Sequence, residues 1–80
     1  MTQALDTAIA AVDDALADIQ DPVRRNDAMR EAEAKLSEVF KRHRRGVAND
    51  LYAQGKKWRE VGETLGGVSA QRAWQISRGE

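Results

Sequence analysis

The chain contains no cysteine and one histidine, His43, so neither a disulfide nor a multi-histidine zinc site is available to brace it. A chain of 80 residues without such braces makes one domain at most, with a core that is marginal unless a second chain helps to cover it. Proline occurs once, at Pro22, which leaves long stretches free to run as helix. Aromatics are few: Phe40, Tyr52, Trp58 and Trp74. No apolar run approaches the roughly 20 residues needed to cross a bilayer, so no membrane association is expected. No nucleophile with a nearby base, phosphate-binding loop or ligand cluster can be assembled, which argues against an enzyme and against any cofactor or metal. The first cation is Arg24, so the basic-then-apolar order of a secretory signal is missing and a cytoplasmic location is expected.

Net charge is zero, but the charges are segregated along the chain. Residues 1–21 hold Asp6, Asp13, Asp14, Asp18 and Asp21 with no Lys or Arg. Residues 41–59 hold seven cations against the single anion Asp50. A basic run of that density suits phosphate, although charge runs in general are most often solvated helix surface.

Leu5, Ile9, Val12, Leu16 and Ile19 recur at steps of four, three, four and three, which predicts an amphipathic helix with a heptad-like stripe, ending near Gln20. Asp21-Pro22 reads as an N-cap followed by proline in the first turn of a new helix. So short a connection predicts a hairpin of two antiparallel helices. From Pro22 a long helix is expected, through Leu36, Val39 and Phe40, continuing past Gly46 to Gln54 and stopped by Gly55. Helix 1 alone cannot cover both its own stripe and Leu36-Val39-Phe40 in so thin a monomer, which predicts dimerisation, as a four-helix bundle or coiled coil, through Leu5, Ile9, Val12, Leu16, Ile19, Leu36, Val39 and Phe40, the alternative being a compact monomer with helix 1 folded against the long helix. For the acidic face of the first helix three roles are open: keeping the protein soluble, pairing with the basic segment of a neighbouring chain, or docking a protein partner.

The segment Trp58 to Ser77, WREVGETLGGVSAQRAWQIS, has the spacing of two short helices, roughly 57–65 and 69–78, joined by a glycine turn. Val61 and Leu65 form an apolar face, Gly62 leaves room for close approach, and Ser69 is a good N-cap. In the second helix Ala73 and Ile76 point inward, while Gln71, Gln75 and Arg78 share the opposite face. Lys57 replaces the usual serine or threonine cap and is expected to weaken the first helix start by about 1 kcal/mol.

On these residues the segment resembles the helix-turn-helix of region four in bacterial primary sigma factors, and the similar module of small bacterial and phage regulators. Glu60-Val61-Gly62 resembles the first helix of that module, Val68-Ser69 the exit of its turn, and Arg72 with Gln75-Ile76 its recognition helix. The resemblance covers about residues 56–78 of the 80. It differs in the turn, where Leu65-Gly66-Gly67-Val68-Ser69 carries one residue more than the usual Leu-Gly-Val-Ser. Nothing before Lys56 resembles the rest of a sigma factor, so the resemblance implies the module and not sigma activity. It implies base contacts by Ala70, Gln71 and Gln75, and phosphate contacts by Ser69, Arg72 and Arg78. The basic residues Lys56, Lys57, Arg59, Arg44 and Arg45 join them as expected phosphate contacts.

Trp58 is expected to pack near Leu51 and Tyr52, and Trp74 to clamp the recognition helix onto its neighbours rather than touch DNA. His43 is expected at the bundle surface without a switching role, and Glu60 and Glu63 in solvent. The sequence thus predicts an all-α fold: an N-terminal antiparallel helical hairpin with one long helix (1–45, dimerisation), then a helix-turn-helix (46–80). The expected function is sequence-specific binding of double-stranded DNA by a small dimeric transcriptional regulator of a bacterium, plasmid or phage, associated with the nucleoid. The alternatives are a phage or plasmid DNA-handling factor resembling a small terminase subunit, and a helical protein-interaction adaptor.

Overall fold

The computed structural model describes residues 2–80 and is all-helical, with no strand among those residues. Four helices follow one another: α1 (Gln3–Ala17), α2 (Pro22–Ala53), α3 (Trp58–Thr64) and α4 (Ala70–Ser77). The chain divides into two compact units, Met1–Lys35 and Leu36–Glu80, with the division falling inside α2. Among the described residues no helix is long and apolar enough to cross a membrane.

In the first unit, α1 forms because alanine fills the positions around its stripe. It stops at Ala17, three residues short of the expected end near Gln20. Asp13, Asp14 and Asp18 crowd its last turn, where the helix dipole disfavours carboxylates, and no basic side chain offsets them. The start of α2 matches expectation: the Asp21 carboxylate accepts the Arg24 backbone N–H at 2.9 Å, and Pro22 occupies the first turn. α1 buries none of its residues, and Leu5, Ile9 and Val12 are 58%, 66% and 41% exposed.

The second unit holds the core. α2 passes through Gly46 without interruption, and Gly55 (φ +93°) closes it, with Lys56 N–H donating to the Leu51 carbonyl at 3.1 Å. Ala48, Val61 and Ala73, one from each of α2, α3 and α4, are fully buried. Leu51, Trp58, Leu65, Val68 and Ile76 pack around them. Small residues at the centre let the three helices approach closely, and the bulky ones seal the edges. Trp58 stacks flat on Tyr52, ring centroids 4.3 Å apart and 7° from parallel, as its place beside the end of α2 predicts. Asn49 Nδ2 donates to the Ser77 carbonyl at 3.1 Å, tying α2 to the last turn of α4.

Candidate nucleic-acid interface

The geometry of α3 and α4 is set by the segment between them. α3 starts at Lys57, whose N–H is taken by the Glu60 carboxylate at 3.1 Å. The lysine side chain has no acceptor with which to return the bond, so only the glutamate half of a capping box operates here. Glu60 is therefore half-buried and structural, not solvent-facing as expected, and it offsets the poor cap at Lys57. Glu63 is exposed.

At the other end of α3, both Gly67 N–H and Val68 N–H donate to the Gly62 carbonyl at 3.0 Å, and Gly66 and Gly67 adopt φ of +105° and +87°. Two consecutive left-handed residues accommodate the additional turn residue, because glycine enters that region without steric cost. Gly62 is the second constraint: a Cβ there would collide with the Val68 carbonyl oxygen and stand 3.2 Å from that of Ser69. The close approach read from the sequence is thus made by the backbone leading into α4. Ser69 then caps α4, its Oγ accepting the Arg72 N–H at 3.0 Å.

Of the residues expected to touch bases, Ala70 and Gln71 are exposed and Gln75 is half-buried, all three on α4 or its first turn. Ala73 and Ser77 lie against the core on the opposite side. Trp74 departs from expectation. It is 41% exposed rather than clamped inward, and the Arg78 guanidinium lies 4.9 Å from its ring centroid. Arg78 also pairs with Glu80 at 3.4 Å. The sequence placed Trp74 between two faces of the helix, and the neighbouring cation, one turn on, holds it at the surface.

Besides Ser69, which caps α4, and Arg78 beside Trp74, the expected phosphate contacts fall into two groups. Lys56, Lys57 and Arg59 are exposed around the start of α3. Arg44, Arg45 and Arg72 instead meet at a groove of about 580 Å³ between α2 and α4, together with Lys41 and Arg42. Its apolar lining comes from Leu65, Val68 and Ile76, and Glu38 and Glu80 also border it. Arg45 reaches across to the end of α4, where a Cβ on Gly79 would stand 3.3 Å from its Nη1. Arg72 Nη1 donates to the Glu80 carbonyl at 3.3 Å and to Gln75 Oε1 at 3.5 Å, a long and weak bond. Among the described residues the only ion pairs are Lys35–Glu31 and Arg78–Glu80. The groove cations and the three at α3 therefore have no carboxylate partner.

Sequence reasoning counted Lys41 and Arg42 in the basic run without assigning them a place. Their spacing with Arg45, three and four residues along one helix, was the available signal. Of the expected pairing surface, Leu36 (41%) and Phe40 (54%) are exposed like the α1 stripe, while Leu16, Ile19 and Val39 are half-buried. His43 is exposed. No protein family, curated protein or solved structure matches the chain.

Proposed function

We propose that the unit Leu36–Glu80 binds double-stranded DNA, with α4 presented to the major groove, and that two copies act together as a small sequence-specific regulator. The observation that carries this reading is the set of basic side chains in the groove beside α4 and around the start of α3 that form no ion pair. Concentrated unpaired cations repel one another, and a polyanion relieves that repulsion while releasing its own counterions. The outward face of α4 adds what a bare cation cluster lacks. Gln71 and Gln75 are one turn apart, and glutamine can pair bidentately with adenine. Arg44, Arg45, Lys56, Lys57 and Arg59 supply phosphate contacts, while Ser69 is already committed in part to capping. Pairing of two copies draws on the exposed apolar positions Leu36 and Phe40 of α2 and would set the separation of two half-sites.

The test is anisotropy titration of labelled duplexes by the full chain at several salt concentrations. Gln75→Ala is expected to lose about 1–3 kcal/mol on the preferred sequence and little on a scrambled one. Arg44→Ala is expected to weaken both alike and reduce the salt slope by about one unit. Equal losses on both duplexes for Gln75→Ala would remove the base-reading role. A ring-sized assembly that holds DNA without sequence preference would instead identify a DNA-handling factor.

A further inference from the structure

Among the described residues no carboxylate of α1 is ion-paired, and the groove, although Glu38 and Glu80 border it, gathers Lys41, Arg42, Arg44, Arg45 and Arg72 with no ion pair among them. α1 presents Leu5, Ile9, Val12 and Leu16 as an apolar ridge. At 100° per residue, Asp6 and Asp13 run along one edge of that ridge, while Ala8 and Ala15 form a thin opposite edge. The groove inverts this design, with an apolar floor of Leu65, Val68 and Ile76 flanked by Lys41, Arg42 and Arg45. The exposed apolar positions of α2, Leu36 and Phe40, offer a rival seat. They lie on the face of α2 turned away from Lys41 and Arg45 by the same helical count, where Arg44, one turn beyond Phe40, is the nearest cation.

We propose that α1 of one copy seats in the basic groove of a second copy, its aspartates meeting Arg42 and Arg45 and its apolar ridge covering the floor. The contact is a helix-in-groove docking whose register is set by charge, and it can be made reciprocally by two chains related by a twofold axis. Arg44, Arg45 and Arg72 border the same groove, so a docked α1 holds cations offered to phosphate under the DNA reading. In that consequence alone the inference rests on the proposed function. α1 then acts as a built-in competitor that DNA must displace.

The contact is tested on the full chain without DNA, by sedimentation over a concentration series, with circular dichroism to confirm retained helix. Wild type is expected to self-associate and to weaken as salt rises. Paired reversals Asp6→Arg with Asp13→Arg, or Arg42→Glu with Arg45→Glu, are each expected to raise the dissociation constant by about tenfold or more. The chain carrying all four reversals is expected to recover, which a merely misfolded variant cannot do. A wild type that stays monomeric throughout overturns the proposal, as does failure of the fourfold variant to recover. Association indifferent to the charge reversals but abolished by Ile9→Asn also overturns it, in favour of an apolar bundle. Because none of these readouts involves DNA, a duplex that fails to bind would sink the DNA reading while leaving this contact standing.

Discussion

The two units of this chain treat apolar residues in opposite ways. In Leu36–Glu80 the fully buried positions are small or β-branched, Ala48, Val61 and Ala73, and the bulky side chains close around them. In Met1–Lys35 the bulky side chains sit on the ridge of α1, and α1 buries none of them. Periodicity is at least as regular in α1 as in α3 or α4, so amphipathic spacing alone does not decide whether a helix finds cover within its chain. In the second unit Gly62 and Ala73 remove bulk where backbones must approach, whereas α1 ends with no buried residue. Fully burying a leucine, isoleucine or valine is worth about 1.5–3 kcal/mol, so the exposed stripe is a strong incentive to associate.

That contrast can be broken most sharply at Gly62. Gly62→Ala drives a methyl group into the Val68 carbonyl, which is backbone and cannot rotate aside. The expected loss is about 3 kcal/mol, seen as a lower thermal midpoint and weaker DNA binding together. A change under about 1 kcal/mol would mean that the backbone at Val68 does not press against Gly62.

The next effect sets the units directly against each other. Val61→Ala empties part of the core and is expected to cost about 2 kcal/mol in thermal unfolding. Ile9→Ala removes more apolar surface from a residue 66% exposed, yet in dilute protein it is expected to leave the unfolding midpoint within about 0.5 kcal/mol of wild type while weakening self-association. Equal destabilisation by the two would show that α1 already has cover within the single chain.

The smallest effect has the opposite sign. A Cβ at Gly46 meets nothing within 4 Å, and the residue lies in mid-helix. Gly46→Ala is expected to stabilise the chain by about 1 kcal/mol in chemical denaturation. A loss would show that α2 needs its glycine for a bend.

Much of the fold was legible in the sequence because its signals are local. Asp21-Pro22 announced the start of α2, Gly55 its end, and Ser69 the cap of α4. Trp58 beside Tyr52 was legible because the intervening turn is short. The early end of α1 was not, because a regular stripe through Ile19 outweighed the aspartates accumulating in the last turn. Glu60 was misread because its role depends on a backbone N–H left open by the residue at Lys57. The candidate site was legible as a basic run and a polar helix face. Its shape was not: a groove shared by Lys41, Arg42 and Arg72 joins positions thirty residues apart, and only the packing of α4 beside α2 creates it.

The central claim is that the second unit reads DNA, and the most direct test is selection from a random duplex pool at near-physiological salt, followed by sequencing of the bound fraction. The account predicts enrichment of a defined inverted repeat, whose half-site spacing would report the separation of two copies of α4. Absence of any retained duplex, under conditions where the chain is folded and dispersed, would contradict it.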